Sequence, residues 1–185
     1  MTRHPFIADA QRSLLLLVDF QAGMSKIISQ WPDLMDRTGL LIEAAQRLQV
    51  PIVATEQYPE GLGPTEDTLL SAIGLDNVLT KTHFSACLEP DFVERLRLSG
   101  KDTIVLAGVE SHVCVLQTGL DLLAQGYRVH LVADAVSSRR ESDKAIAVEQ
   151  FRSAGAVIGS AETVVFEWLK QAKTDDFRAL LPRIK

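Results

Sequence analysis

The sequence predicts an α/β protein, a three-layer sandwich built on a mostly parallel, doubly wound sheet. Three observations predict it. Compact runs rich in leucine, valine and isoleucine recur at residues 14–18, 51–55, 103–107 and 128–132, and unbroken apolarity of that kind suits strands covered on both faces. Segments of helical apolar spacing alternate with those runs, the order that gives a parallel sheet flanked by helices. No repeat, low-complexity tract or Pro/Gly/Ser-rich linker interrupts the alternation. With 185 residues and 46% hydrophobic composition, the chain can form one substantial core but is too short for two ordinary domains, so residues 1–185 are expected to form one domain.

Each element follows from its local pattern. The run 14–18 is the first strand, and residues 33–49 carry apolar side chains at Leu34, Leu41, Ala44, Ala45 and Leu48, which line one helical face. After the strand 51–55 comes an irregular stretch, 56–68, punctuated by Pro59, Gly61, Gly63 and Pro64. A loop of that length, with an aromatic and two acids embedded, is expected to cover a site. Shorter strands are expected at 78–81 and 156–158, and helices at 91–98, 113–125, 138–154 and 162–173. The segment 113–125 is apolar around much of its circumference (Val113, Val115, Leu116, Leu120, Leu122, Leu123). A surface helix needs only a stripe, so the excess predicts burial by another copy, at least a dimer.

Composition narrows the function. Nineteen basic against twenty-four acidic residues give a net charge of -5, and no lysine or arginine run offers a track for phosphates, which argues against a nucleic-acid partner. The longest apolar run is far short of a membrane span, and residues 1–9 lack a long apolar leader segment, so a cytoplasmic location without membrane association is expected. Cys87 and Cys114 are the only cysteines and form no C-x-x-C pair. Reduced thiols are expected, and neither a disulfide framework nor a cysteine zinc site.

In a parallel sheet, loops leaving the carboxyl ends of the strands gather on one edge, where ligands bind. Three polar residues fall there. Asp19 follows the first strand, Lys81 closes the segment 78–81, and Cys114 stands at the start of a helix after the strand 103–107. Together they have a logic for nucleophilic catalysis: the helix start and Lys81 stabilise a thiolate, and Asp19 takes the proton and passes it to a leaving group. Each also has a structural reading: Cys114 as a small buried hydrophobe, Asp19 as a helix cap, Lys81 as a solvated cation. Spacing alone leaves both open.

The segments "LLLVDFQAGM", "LTKTHFSAC" and "VLAGVESHVCVLQTGLDLLAQGYRVHLVADAVSSR" resemble, in order and spacing, the three signature regions of the isochorismatase-like cysteine hydrolases. The stretch "TEQYPEGLGPT" is similar to one in their isochorismatase domain-containing subgroup. The resemblance covers nearly the whole chain. It implies the isochorismatase-like hydrolase fold, a catalytic triad of Asp19, Lys81 and Cys114, a cis peptide between Val109 and Glu110, and an oxyanion hole made by the backbone N–H groups of Glu110 and Cys114. It also implies attack on an amide-like carbon, release of the amine and hydrolysis of a thioester. Members that cleave isochorismate do not need the cysteine, so Cys114 points to amide or related C–N hydrolysis of a small molecule. Nicotinamidase-type members bind a metal through histidines after the second strand, where this chain has none, so neither metal nor other cofactor is expected.

Further pocket residues are proposed from position. Phe20 and Phe84 flank the acid and the lysine in sequence and form either an apolar substrate wall or core. Gln21 either supports Asp19 or caps the next segment. Tyr58 and Glu110 are expected at the pocket, while Glu56 and Glu60 are either substrate-recognising or solvated acids. His83 and His112 belong to loops bordering the pocket, and His130 reads as a hydrogen-bonded structural histidine. Cys87 reads as packing. Two other function classes stay open, a thiol-based redox or electrophile sensor and a noncatalytic interaction module. An Asp and a Lys matched to the cysteine favour the hydrolase, since a redox pair would carry a resolving cysteine nearby.

Overall fold

The computed structural model describes residues 3–184. Six strands form one sheet: β1 (Ser13–Val18), β2 (Ile52–Gln57), β3 (Val78–Lys81), β4 (Thr103–Val109), β5 (Arg128–Ser137) and β6 (Val157–Gly159). Their spatial order is β3-β2-β1-β4-β5-β6, with every pairing parallel. The chain winds outward from β1 through β2 to β3, then returns to lay β4 on the other side of β1. Strand order therefore reverses between β1 and β4, and the loops leaving their carboxyl ends diverge to open a crevice.

Helices cover both faces because the strands are apolar on both. Leu15 and Leu17 of β1 face a cluster with Leu34, Leu40 and Leu41 of α1 (Trp31–Arg47), Val164, Val165 and Trp168 of α7 (Ala161–Leu169), and Leu180 of α8 (Asp175–Ile184). Leu14, Leu16 and Val18 face the opposite cluster, with Phe92 and Leu96 of α4 (Pro90–Ser99), Leu116 and Leu122 of α5 (Leu116–Ala124), and Phe151 of α6 (Glu141–Ser153). The two-residue period of a strand divides consecutive leucines between two cores. Helix boundaries follow local chemistry: Ser160 accepts from the Thr163 amide at the start of α7, Pro32 sits in the first turn of α1, and α4 stops at Gly100 in the left-handed region.

The structure departs from the sequence reading in several places. The stretch 56–68 is not structureless: β2 runs on to Gln57, α2 (Pro59–Leu62) is one helical turn, and α3 (Asp67–Ile73) begins inside it. Strand β5 extends to Ser137 because its second half pairs with the end of β4 (Gly108 with Val136, Val109 with Ser137) across a register irregularity. The following helix accordingly starts at Glu141, not 138. The expected helix 113–125 is a wide turn, Ser111–Val115, leading into α5. The helix α8 has no counterpart in the reading. Among the described residues, no helix is long and apolar enough to cross a membrane.

Gly119 lets α5 settle against the sheet and α6. A methyl group there would overlap the buried ring of Phe151 and press on Leu106. Gly119→Ala is therefore expected to destabilise the protein by about 1–3 kcal/mol through overpacking, despite a gain of about 1 kcal/mol in helix propensity. Urea midpoints measure the difference, and an unchanged or raised midpoint contradicts this packing.

Candidate active site

Asp19 is the first residue beyond β1, and its backbone turns there with φ 55°, a left-handed conformation that aspartate tolerates better than most residues. The turn leaves its carboxylate buried. Thr55, level with Val18 on the neighbouring strand, donates its hydroxyl to Asp19 Oδ1 at 2.7 Å. Lys81, the last residue of β3, donates from Nζ to Asp19 Oδ2 at 2.8 Å and to Gln57 Oε1 at 2.7 Å. The two charged side chains are only 2% and 3% exposed. Burying two ions is costly, and the arrangement holds because each charge meets the other plus further hydrogen-bond partners.

Cys114 comes to this pair from the other side of the reversal point. It sits in the turn Ser111–Val115, buried, with Sγ 4.0 Å from Gln57 Oε1. Gly108 precedes the turn at φ 144°, and a side chain there would collide with the backbone of Val18, so glycine lets β4 close on β1. The Val109–Glu110 peptide is cis. The Glu110 carbonyl accepts from the amides of Val113 (3.0 Å) and Val115 (3.3 Å). The Glu110 carboxylate is clamped by Arg139, which donates its backbone N–H (2.9 Å), Nε (2.9 Å) and Nη2 (2.6 Å). His112 Nδ1 lies 2.9 Å from Ser138 Oγ. The turn that carries Cys114 is thus laced to the residues that follow β5.

Burial pushes the Asp19 carboxyl above the usual range, against the pull of Lys81 and Thr55. Burial, and then the Asp19 charge, push the Cys114 thiol up to about 12, with Lys81 opposing. The expected low-pKa thiolate is therefore corrected. Desolvation and the Asp19 charge outweigh the cation, so the environment favours the neutral thiol over the thiolate. Glu110 is held below its usual range: burial works upward and is outweighed by the Arg139 hydrogen bonds.

Of these groups Asp19, Cys114 and Glu110 border a cleft of about 310 Å³, while Lys81 is not among its lining residues. Asp19, Gln57 and Cys114 lie in it with Met24, Ile27, Leu62, Phe84, Val109, Val113, Glu110 and Arg139. A larger, shallow depression of about 700 Å³ between α5 and α6, bordered by Leu120 and Ile146, contains none of these groups.

The structure brings Asp19, Lys81 and Cys114 together and puts Phe84 on the cleft rim, 53% exposed. Of the other expected pocket residues, Phe20, Gln21 and Tyr58 lie elsewhere. Phe20 is core, not wall: it is 1% exposed and packs near Trp31, ring centroids 6.1 Å apart. Gln21 does not bond to the Asp19 carboxylate. Its amide donates to the carbonyls of Gln57 (3.0 Å) and Gly63 (2.6 Å) and accepts from the Gln57 amide (2.8 Å), which pins the loop. Tyr58, at φ 40°, is turned outward beside Pro59, Glu60 and Thr82, in a separate depression. Glu110 borders the cleft, but Arg139 occupies its carboxylate. Glu56 is buried and accepts from the amide and hydroxyl of Thr65 (2.6 and 2.7 Å), so it fastens the same loop, while Glu60 is exposed. His83 is an exposed partner of Glu89. His130 is buried and held down to about 4 by that burial, yet its Nε2 has no hydrogen-bond partner among the described residues, which corrects the bonded reading. Cys87 packs in the α4/α5 core, its thiol pushed up to about 11 by burial. Among the described residues, no three His, Cys, Asp or Glu side chains are grouped to hold a metal ion.

The sequence reading missed Thr55, Gln57 and Arg139. Gln57 ends a strand on the same carboxyl edge as Asp19 and Lys81, which was a usable signal. Arg139 closes the "VSSR" stretch, and its partner Glu110, just past β4, is far away in sequence.

The isochorismatase domain model matches residues 13–163. Isochorismatase domain-containing protein 2 from Xenopus laevis is 38% identical over 169 residues, 90% of this chain and 80% of that protein. The structure of MAR1 ribonuclease from Caenorhabditis elegans superposes with a TM-score of 0.88 at 35% identity, covering 96% of this chain and 91% of that one. The YcaC gene product from Escherichia coli, described as an octameric hydrolase of unknown specificity, shares the fold with a TM-score of 0.92 at 23% identity, covering 98% and 92%.

The raised thiol pKa sets a pH profile. Alkylation of Cys114 by iodoacetamide should climb through pH 9 and 10 without levelling, because thiolate is still forming there. Asp19→Asn removes a nearby negative charge and should lower the apparent pKa; Lys81→Met removes a positive one and should raise it. Rates followed by peptide mass spectrometry test this, and a plateau near pH 8 in the unmodified protein contradicts it.

Proposed function

The chain belongs to the isochorismatase family, within reach of its domain-containing protein 2 members, and from that premise we propose that it is a cysteine hydrolase of small amides or related C–N substrates. The observation that carries the reading is the buried Asp19–Lys81 ion pair, with Asp19 and Cys114 together lining one cleft. Family membership makes hydrolysis the general expectation, and these residues supply the particular chemistry.

In this reading Asp19 takes the thiol proton as Sγ attacks the carbonyl carbon, and the C=O electron pair moves onto oxygen. The backbone N–H groups of Glu110 and Cys114 receive that oxyanion. Collapse re-forms C=O and breaks the C–N bond; Asp19 gives its proton to nitrogen, and the amine departs. Water then attacks the thioester carbon and surrenders a proton to Asp19. The C–S bond breaks, the sulfur recovers the proton, and a carboxylic acid leaves. Lys81 orients Asp19 in the resting state and opposes the effect of burial on its carboxyl. Splitting one hard displacement into two easier ones is what the nucleophile contributes.

The segment after β2, where nicotinamidase-type relatives hold a metal through histidines, does not fit that role. Glu56 is bonded to Thr65, Gln57 faces Lys81 and Tyr58 points outward, so no step passes through a metal. Phosphodiester cleavage, suggested by the name of the MAR1 neighbour, would need cations for phosphate. In this cleft Arg139 is engaged by Glu110, and Lys81 below it by Asp19. A redox role would want a second thiol at the site, and Cys87 does not border the cleft. The reading also takes the protein as at least a dimer. The apolar depression at Leu120 and Ile146, the latter 59% exposed, is a surface that a second copy would cover, and the YcaC neighbour is described as octameric.

Ammonia release from a panel of small primary amides tests the chemistry. Cys114→Ala should abolish it with the circular dichroism spectrum unchanged, and Asp19→Asn should slow it by roughly 100-fold or more. Undiminished release by Cys114→Ala would sink the proposal. Light scattering at micromolar concentration should give at least twice the 20.3 kDa chain mass; a monomeric mass overturns the assembly.

A further inference from the structure

The hydrogen-bonding capacity around the sulfur points to one kind of leaving group. Lys81 has three N–H donors. Two are spent on Asp19 Oδ2 and Gln57 Oε1 at 2.8 and 2.7 Å, and the third is shared weakly between the carbonyls of His83 and Phe84 at 3.4 and 3.3 Å. The Thr55 hydroxyl is spent on Asp19. No donor of that pair of side chains remains to face a substrate.

Acceptors remain. An ammonium only donates, so the atom Gln57 turns toward Lys81 must be oxygen. The other end of the carboxamide agrees, since Nε2 donates to the Thr82 carbonyl at 2.8 Å, and the Gln57 backbone is itself held by Gln21 at 2.8 Å. The side chain cannot flip without losing both bonds. A carboxamide oxygen accepts two hydrogen bonds, and Lys81 uses one. The second acceptor position is near Cys114 Sγ, 4.0 Å away, a distance at which a thiol engages it only weakly. The sulfur is therefore flanked by two acceptors, the Asp19 carboxylate and the Gln57 oxygen.

Resting on the hydrolase reading, we infer that Gln57 is a specificity-determining residue that selects a primary amide, receiving one N–H of the leaving nitrogen while the other faces Asp19. An ester of the same acid presents an alkoxy oxygen in that place, lone pair against lone pair, and is disfavoured by the same oxygen that favours the amide. The acyl part is left to the apolar sides of the cleft at Met24, Ile27, Leu62 and Phe84.

Two alkylating probes that differ only in this group test the inference without a known substrate: iodoacetamide and methyl iodoacetate. Rates at Cys114 are each divided by the rate for glutathione, which removes intrinsic reactivity and any change in thiol pKa common to both probes. The unmodified protein should prefer iodoacetamide by roughly tenfold, the scale of one hydrogen bond gained or lost. Gln57→Leu should bring the ratio near one, and Gln57→Asn, which keeps the carboxamide but withdraws its oxygen by one methylene, should lose most of it; circular dichroism checks that each variant is folded. No preference in the unmodified protein, or an equal preference in a folded variant, overturns the role of Gln57. Preference without ammonia release overturns the hydrolase reading alone, and ammonia release without preference overturns this inference alone.

Discussion

Two opposite charges held out of water, Asp19 and Lys81, are the constraint around which the rest of this molecule is arranged. Neither is tolerable alone in an interior, and 2.8 Å is the separation at which each makes the other acceptable. Meeting there requires that β3 run two residues past the level at which β1 ends, on the far side of β2 (Val18 lies opposite Thr55, Lys81 opposite Gln57), that Thr55 stand beside the carboxylate, and that the chain turn left-handed at Asp19. A parallel sheet meets all three demands, because its strands deliver their carboxyl ends to one edge. The thiol then arrives from β4, across the one place where strand order reverses.

Much of this was legible in the sequence, and for a physical reason. Strands buried on both faces have to be apolar throughout, so 14–18, 51–55, 103–107 and 128–132 announce themselves. The residues just past such strands, Asp19 and Cys114, inherit a predictable edge, as does Lys81 at the end of its strand. Less legible was whatever depends on partners remote in sequence. The extension of β5 to Ser137 comes from pairing with β4 after an irregularity, and no local pattern reports it. Phe20 reads equally as wall or core until the left-handed turn at Asp19 puts it into the cluster of Leu15 and Leu17. The thiol's charge state also eluded composition: helix start and lysine argue for thiolate, but burial and the nearby carboxylate are properties of three dimensions.

The loop after β2 shows how polar residues become structural when buried. Gln21 and Glu56 read from sequence as possible site groups, but each is consumed in fixing that loop: Gln21 to Gly63 and Gln57, Glu56 to Thr65. With Gly23 donating its amide to the Leu62 carbonyl at 2.9 Å, the segment that brings Leu62 to the cleft is fastened at several points to the stretch that brings Met24 and Ile27. The cleft wall at Met24, Ile27 and Leu62 is thereby tied together by hydrogen bonds of the chain beneath it.

Lys81 ends a strand of four residues at the border of the sheet, paired on one side only, with Val78, Leu79 and Thr80 still partly open to solvent. Short border strands open at lower free energy than the interior of the same sheet. Fraying there withdraws the cation and strands a buried carboxylate while β1, β4 and both apolar layers remain intact. The ion pair consequently has a thermal limit of its own, below that of the fold, and loss of the site on warming can run ahead of any change in helix content.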